Sequence, residues 1–312
     1  MENSCRIGIG GPVGSGKTAI IEAITPRLLD LGYKVLIITN DVALFTFVPF
    51  TIVTLRLSHA EKHMIPIVIL ETVAANLGSM LTPIGNPQNL YLFSAYDMRI
   101  GDFFQTLYPY ALLSLVLLVV FSVCMGKHTI ALQNAGETAG FDRSRCVVYS
   151  MLFILALLTV FHVLPYPVVL IVTVITACLT DKNTVKHADY SLLLTFIFLF
   201  IFIGNMGEIS WISERLSRVL MEREVPVSIL CSQVISNVPA ALLLSGFTDN
   251  ATDLLIGTNL GGLGTLIASM ASLISFKFIM KEQVNKERYL VHFTWVNLIF
   301  LACLILLWLC IG

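Results

Sequence analysis

A glycine-rich loop near the amino terminus carries the most specific chemistry in this sequence. Residues 10–18 read GGPVGSGKT, which meets the G-x-x-x-x-G-K-[ST] spacing of a phosphate-binding loop. In such a loop, backbone N–H groups cradle the phosphates, the lysine reaches the outer phosphates and the hydroxyl side chain holds Mg²⁺. The candidate nucleotide-binding residues are Gly11, Gly14, Gly16, Lys17 and Thr18.

The segments around this loop predict one β-α-β unit. CRIGIGG is typical of a strand that enters the loop, KTAIIEAITPRLLDLGY has the apolar periodicity of a helix, and KVLIITND is typical of a second strand. Phosphates would then lie at the helix amino terminus. Two strands and one helix are too few to bury a core, so we expect residues 1–41 to be an incomplete fragment.

The stretch RIGIGGPVGSGKTAIIEAITPRLLDLGYKVLIITND resembles the amino terminus of the urease accessory GTPases, which help deliver nickel to urease. The resemblance ends at about residue 41. The Cys-Pro-His metal motif, the acidic second magnesium-binding strand and the Asn-Lys-x-Asp element of that family do not follow in this sequence. The resemblance therefore implies a vestigial loop that hydrolyses nothing. The alternative is a membrane-tethered, GTP-binding nickel accessory protein, for which GTP and Mg²⁺ would be cofactors.

The composition of the whole chain is that of a membrane protein. Hydrophobic residues make up 56% of the 312 residues, charged residues 12%, and the mean hydropathy is +0.85. Uncharged runs near the length of a membrane span occur at 105–125, 147–162, 167–180, 190–206 and 289–311. Three further apolar segments are interrupted by Gly, Pro and Asn, at 42–57, 64–93 and 225–278.

Metal, redox and nucleic-acid chemistry find no support in the sequence. The seven cysteines form no C-x-x-C pair, and the six histidines show no H-E-x-x-H spacing. The formal net charge of −1 argues against a nucleic-acid partner. We therefore expect no metal site and no catalytic centre, and interpret the cysteines as small side chains within the membrane.

An internal repeat links the two halves of the chain. ITNDVALFTF and AANLGSMLTPIGNPQN in the first half correspond to ISNVPAALLL and GTNLGGLGTLIAS in the second. Each half thus has a [ST]-N turn before an apolar stretch, and then an N-L-G segment rich in Gly, Ser and Thr. Such segments leave backbone groups that lipid cannot satisfy, so they are tolerated only next to protein or a water-filled cavity. A matched pair indicates the binding site of a secondary transporter near the membrane midplane.

The positive charges test whether the two halves have opposite orientations. If each [ST]-N segment is a re-entrant hairpin, one membrane face receives Arg56, Lys62, Lys127, Arg143, Arg145, Lys182, Lys186, Lys277, Lys281, Lys286 and Arg288. The other face receives Arg99, Arg215, Arg218 and Arg223. The positive-inside rule assigns the richer face to the cytoplasm. The first hairpin then opens from the cytoplasm and the second from outside, as an inverted repeat requires, and we expect a cytoplasmic amino terminus.

Residues 39–312 resemble the ion-transporter superfamily that includes citrate-transporter-like permeases, sodium-coupled dicarboxylate transporters and arsenite permeases. The motifs are TNDVALFTFVPFT, AANLGSMLTPIGNPQNLYL, FIFIGNMGEI, SQVISNVPAALLLSGF and TNLGGLGTLIAS. The resemblance implies an elevator-type carrier, commonly a dimer, in which two hairpin tips and two unwound helices hold an anion and its coupling cations. The tips carried over are Thr39, Asn40 and Asp41, with Ser236, Asn237 and Val238. The unwound turns are Asn76, Gly78, Ser79, Thr82 and Pro83, with Thr258, Asn259, Gly261 and Thr265.

The residue types suit this role on chemical grounds. Asn amides and free N–H groups at broken helix ends attract carboxylates or oxyanions, and carbonyl and hydroxyl oxygens suit sodium. The alternative is that Asn and Gly only permit close helix packing. Asp41 differs from its counterpart Val238; it adds charge to a cation site or caps the following helix.

Two further features leave a functional and a structural interpretation open. Glu71 is the carboxylate within MIPIVILETVAANLG, and it serves proton coupling or is a structural residue near the interface. ISWISERLSRVLMERE places apolar and charged residues on opposite helical faces, which predicts an interfacial amphipathic arm or an ordinary solvated helix. Ile209, Ile212, Leu216, Val219 and Leu220 form the apolar face, and Glu214, Arg215, Arg218 and Glu222 the polar one.

We therefore expect an α-helical, multi-pass cell-membrane transporter with re-entrant hairpins and broken helices. Its domains are a β-α-β fragment at 1–41, a partial first repeat at 42–126 and a second repeat at 127–312. The first repeat is expected to be truncated at its amino terminus. The substrate is a small anion such as citrate, a dicarboxylate or arsenite, and the coupling ion is Na⁺ or H⁺. The alternatives are the GTP-binding accessory protein and a chimeric fragment that transports nothing.

Overall fold

The computed structural model describes residues 40–58, 60–125, 143–160, 163–180, 198, 201–202, 205, 209–221, 223–282 and 284–311. Within these ranges the regular structure is helical and contains no strand. This confirms the prediction of a helical protein. The predicted β-α-β unit at 1–41 lies outside the described residues, apart from Asn40 and Asp41, which begin the first helix.

The first group of helices runs from residue 40 to residue 124. It comprises α1 (Asn40–Leu57), a 3₁₀ turn (Glu61–His63), α2 (Met64–Ser79), α3 (Pro87–Ala95) and α4 (Ile100–Cys124). Local chemistry sets the start of α3, because the Asn86 side chain accepts a hydrogen bond from the Asn89 backbone N–H at 2.9 Å. Pro87 takes the first helical position, where its missing N–H has no helical partner to lose.

The second group begins with two helices that pack against each other, α5 (Arg143–Val160) and α6 (Tyr166–Thr180). The remaining elements are α7 (Ser210–Leu220), α8 (Glu224–Ile235), α9 (Asn237–Ser245), α10 (Ala251–Leu260), a 3₁₀ turn (Leu266–Ala268), α11 (Met270–Met280) and α12 (Lys286–Ile311). Helix α9 follows α8 after one residue and contacts both α8 and α10. The second group therefore contains a tight helical hairpin.

Two helices in the described part of the chain are long and apolar enough to cross a membrane, namely α4 and α12. Side chains along both remain exposed, such as Leu115 and Val123 on α4 and Trp295 and Leu309 on α12. Exposed apolar faces of this length are suited to lipid. The described part of the run at 147–162 and the run at 167–180 are helical, in α5 and α6, which are shorter than α4 and α12. The run at 190–206 lies almost wholly outside the described residues.

Two buried apolar clusters join the two groups of helices. One packs the end of α2, with α3 and α4, against α8, α9, α10 and the second half of α12. In it, the rings of Phe121 on α4 and Phe300 on α12 lie 5.1 Å apart. The other packs α1 and the start of α2 against α11 and the start of α12. The broken helices α2–α3 and α10–α11 consequently share a core, which holds their interruptions side by side.

The predicted amphipathic arm is helical, as α7. Leu220 is buried and Leu216 half-buried, whereas Ile209 and Val219 stay exposed. Arg215 lies over the ring of Trp211, 4.8 Å from its centroid. One edge of the helix thus packs on the core, and an apolar surface remains open beside a basic one.

Candidate functional site

The α8–α9 hairpin turns at a single strained residue. Ser236 has φ 72° and ψ 154°, a region normally reserved for glycine. Its hydroxyl reaches the Ala268 carbonyl oxygen at 3.4 Å. Asn237, the next residue, is only 3% exposed although it begins a helix. A strained turn with a buried amide at its tip is typical of a functional position.

Both segments contain an interruption, but the prediction of unwound turns is wrong for Asn76, Gly78, Ser79, Thr258 and Asn259, which continue the last turns of α2 and α10. Between α2 and α3 lie residues 80–86, which include Thr82 and Pro83. Between α10 and α11 lie residues 261–269, where Gly264 adopts φ +111°. Pro83 and Asn86 cannot extend α2 favourably, and a glycine is needed at the positive φ. The two interruptions are called the first and second break below.

An asparagine cluster connects the two breaks. It consists of Asn76 and Asn259, in the last turns of α2 and α10, with Asn86 and Asn89 at the start of α3. Asn86 Nδ2 donates to Asn259 Oδ1 at 3.1 Å, and Asn259 Nδ2 donates to Asn89 Oδ1 at 2.6 Å. All four side chains are at most 6% exposed. Buried amides of this kind are stable only when they are paired.

Asn76 reaches the second break in the same way. Its Nδ2 donates to the Gly262 carbonyl oxygen at 3.5 Å, and Ser269 Oγ donates to its Oδ1 at 2.7 Å. A Cβ atom added to Gly262 would lie 2.9 Å from Asn237 Nδ2, so the hairpin tip lies against this same residue. The asparagine at the end of each broken helix therefore bonds to the break of the other one.

The other predicted site residues have different surroundings. Ser79 Oγ donates to the Asn76 carbonyl oxygen at 2.8 Å and accepts from Asn86 Nδ2 at 3.3 Å. Thr258 donates to the Leu254 carbonyl oxygen of its own helix at 2.8 Å. Gly78 faces open space. A Cβ atom on Gly261 would lie 2.5 Å from Ser232 Oγ, so this glycine permits close packing with α8.

Several predicted site residues lack a described side chain. Thr39 and the nucleotide-binding set Gly11, Gly14, Gly16, Lys17 and Thr18 lie outside the described residues. Asn40 and Asp41 begin α1, but their side chains are not among those described. These assignments stay predictions. Across the residues that the structure does describe, no group of three His, Cys, Asp or Glu side chains is arranged to hold a metal ion.

Sequence reasoning missed four residues that shape the site: Asn86, Asn89, Ser269 and Gln233. Asn86 and Asn89 stand in the quoted GNPQN stretch, where Asn before Pro indicates a helix start rather than a cross-chain contact. Gln233 on α8 donates to carbonyl oxygens of the second break, and its Oε1 accepts from the Thr265 N–H at 2.9 Å. No local sequence pattern identifies these contacts, because each depends on how separate helices pack around the breaks.

Glu71 lies on α2 beside a cavity of about 440 Å³ that His63 and Ser122 also line. The Thr51 hydroxyl donates to Glu71 Oε1. Oε2 is buried and has no hydrogen-bond partner among the described residues. The side chain therefore faces the protein and a cavity, which favours the functional interpretation over a carboxylate that extends to the interface.

Side-chain contacts join the loops between helices in two places. Arg56, at the end of α1, forms an ion pair with Glu282, which follows α11. The Tyr96 hydroxyl, after α3, donates to the carbonyl oxygens of Ser245 and Thr248, at 3.2 and 2.7 Å. Burial raises the pKa of Tyr96, so its hydroxyl stays protonated as a donor. Arg56 and Glu282 lie in connections whose positive charges predict the same membrane face.

Comparisons with known proteins match two parts of the chain. The citrate transporter family matches residues 35–253. The nucleotide-binding domain of the CobW, HypB and UreG proteins matches residues 5–47. The two matches overlap at residues 35–47. Both resemblances drawn from the sequence are thereby confirmed.

Individual relatives follow the same division. An uncharacterized transporter of Methanocaldococcus jannaschii is 36% identical over 261 residues, which are 81% of this chain and 70% of that protein. The inner membrane protein YbiR of Escherichia coli is 29% identical over 250 residues, 79% of this chain and 67% of that protein. The urease accessory protein UreG 2 of Methylorubrum extorquens is 76% identical over 42 residues, 14% of this chain and 20% of that protein.

Proposed function

Because the chain belongs to the citrate transporter family and is therefore a membrane permease, we propose that it carries out secondary active transport of a small anion. The supporting observation is that the α8–α9 hairpin tip, at Asn237, lies against the second break, which Asn76 and Asn259 join to the first break. Amide N–H groups at broken helix ends favour a carboxylate or an oxyanion. The substrate class is citrate, a dicarboxylate or an arsenite-like anion.

The two groups of helices are proposed to be inverted repeats that move as an elevator. Helices α1, α2, α3 and α4 correspond in order to α9, α10, α11 and α12, and the reciprocal asparagine bonds relate the two breaks. In this arrangement α8–α9 is a re-entrant hairpin, and the face with Arg56 and Glu282 is cytoplasmic, as is the amino-terminal segment. Modification of a cysteine introduced at Arg56 by an impermeant reagent added outside intact cells would contradict this orientation.

A homodimer is proposed because the resemblance implies one. The exposed apolar faces of α4, α5 and α6 offer surface for either lipid or a second copy. Chemical cross-linking of the protein in membranes tests this proposal. Only monomeric bands across cross-linker lengths would contradict it.

The coupling ion is proposed to be Na⁺ or H⁺. Carbonyl and hydroxyl oxygens at the two breaks suit Na⁺, whereas Glu71 beside its cavity is the carboxyl group that suits H⁺. Separate imposition of a sodium gradient and a pH gradient on sealed vesicles distinguishes them. Uptake driven by sodium alone would remove Glu71 from this role.

Uptake of radiolabelled citrate, succinate and arsenite into proteoliposomes tests the transporter function. We expect gradient-driven uptake of at least one anion, and a loss of roughly tenfold or more in Asn237→Ala, as about 1.4 kcal/mol of lost binding energy would give. Asn297→Ala is the matched control, because Asn297 is also buried but donates only to the Phe293 carbonyl oxygen of its own helix.

Two outcomes would contradict this proposal. Flat uptake of all three anions by the wild-type chain under both gradients would favour a chain that inserts without transporting. Equal uptake by Asn237→Ala and wild type would remove the hairpin tip from the site.

Nucleotide binding is a second candidate function, favoured by the 76% identity to UreG 2 at the amino terminus. Lys17 is the residue that would reach the outer phosphates. We expect any magnesium-dependent GTP binding by the purified chain to disappear in Lys17→Ala while anion uptake stays unchanged. Equal GTP binding by both proteins would place the nucleotide elsewhere, and no binding by wild type would leave the loop without this function.

A further inference from the structure

The carboxamide of Gln233 lies among three backbone carbonyl oxygens, two at the second break and one in its own helix, α8. Its Nε2 is 2.8 Å from the Leu263 oxygen, 3.0 Å from the Gly261 oxygen and 3.3 Å from the Ile229 oxygen. An amide nitrogen carries two hydrogens, so three acceptors exceed what it can serve with linear bonds. Three oxygens converging on one positively polarised atom resemble the environment of a bound hard cation.

The second break is shaped around this side chain. Gln233 Oε1 accepts from the Thr265 N–H at 2.9 Å, and Thr265 Oγ1 donates to the Gln233 carbonyl oxygen at 3.2 Å. Gly264 lies between them with φ +111°, and a Cβ atom there would lie 2.4 Å from Oε1. The side chain thus fixes the break at both ends of its amide group.

A side-chain amide also donates to backbone carbonyl oxygens at the first break, over longer distances. Asn89 Nδ2 donates to the Met80 oxygen at 3.2 Å and to the Thr82 oxygen at 3.4 Å. Met80 corresponds to Leu263 in the second break, and Thr82 corresponds to Thr265. Each pair is separated by the same number of residues as Asn76 and Asn259. A tethered amide therefore satisfies unwound carbonyls in both breaks.

We propose that Gln233 is a positioning residue whose amide nitrogen takes the place of a monovalent cation among the carbonyl oxygens of Ile229, Gly261 and Leu263. The Gly261 and Leu263 carbonyl groups lie at the second break, where a tethered donor keeps them ordered whether or not an ion is present. This role for Gln233 rests on the proposed transport function, because it concerns where the coupling cation binds. Sodium, if it drives transport, then binds away from these three carbonyl oxygens.

The test is the thermal unfolding midpoint of the purified full-length chain in sodium chloride and in choline chloride at equal ionic strength. Gln233→Ala removes the donor from among the three oxygens, and Gln233→Glu replaces the donor with a carboxylate that attracts cations. In choline chloride we expect both variants to unfold about 3 °C or more below wild type. Sodium chloride should recover much of this loss, more completely for Gln233→Glu, because a cation can then bind among these oxygens.

Asn297→Leu is the control, because it alters a buried amide that donates to the carbonyl oxygen of its own helix. Its difference between sodium and choline should equal that of wild type. A purely structural role for Gln233 would lower the midpoint equally in both salts. The same sodium-minus-choline difference in wild type, Gln233→Ala and Gln233→Glu would therefore overturn the proposal.

This measurement separates the inference from the proposed function. Sodium-specific recovery of the variants with flat anion uptake by wild type would support the cation-replacing role and reject transport. Normal uptake by wild type without sodium-specific recovery in either variant would keep transport and reject the role of Gln233.

Discussion

Replacement of Asn259 with leucine is expected to lower the free energy of unfolding by about 2 kcal/mol and to abolish anion uptake. Asn259 Oδ1 accepts from Asn86 and its Nδ2 donates to Asn89. Leucine has a similar volume but no polar atoms, so it leaves two buried amide groups without these partners. Each is expected to cost roughly 1 kcal/mol within a membrane protein. Unfolding of the purified chain by detergent titration and uptake by proteoliposomes measure the two effects.

The matched control again uses α12. Asn297 is fully buried, its Nδ2 bonds to a carbonyl oxygen of its own helix at 2.9 Å, and its Oδ1 has no partner among the described residues. Asn297→Leu removes that unpaired oxygen and orphans no other side chain, so its expected effect on stability is near zero or favourable. Equal destabilisation by Asn259→Leu and Asn297→Leu would show that the asparagine cluster does not hold the two breaks together.

The helices and their interruptions were accessible from the sequence because their causes are local. Apolar length predicts α4 and α12, and Pro, Gly and Asn predict both breaks. The repeated N-L-G segments also placed Asn76 and Asn259 at equivalent positions. Each of these features depends on residues within a few turns of one another.

The pairing of side chains was not accessible in the same way. Asn86 and Asn89 bond to Asn259, which is 173 and 170 positions away. Their partner depends on how the two broken helices pack, and a local sequence pattern does not predict that packing. The Thr258 hydroxyl bonds to a carbonyl oxygen of its own helix, as hydroxyl groups in helices often do, and its role in binding stays a prediction. Close packing accounts for Gly261 of the repeated N-L-G motif, whereas ligand binding by the other residues of the motif stays a prediction.

Gly85 is the residue of the first break with the least room for a side chain, and the sequence did not single it out. A Cβ atom there would lie 2.0 Å from the Ser79 carbonyl oxygen and 2.9 Å from Thr82 Oγ1. The nearest atom belongs to the backbone, so a rotamer change cannot relieve the clash. Gly85→Ala is therefore expected to shift the first break, to lower the free energy of unfolding by about 3 kcal/mol and to reduce uptake more than tenfold.

Gly78 provides the matched control for this prediction, since it lies in the last turn of α2 and a Cβ atom there would meet nothing within 4 Å. Alanine in a helix is favoured over glycine, so Gly78→Ala is expected to raise the free energy of unfolding by about 0.5 kcal/mol. The two substitutions add the same methyl group seven residues apart and have opposite expected signs. Equal loss of stability in both variants would contradict the tight packing of Gly85 in the first break. A stable Gly78→Ala variant that does not transport would show that the exposed surface at Gly78 contacts the substrate or a moving element.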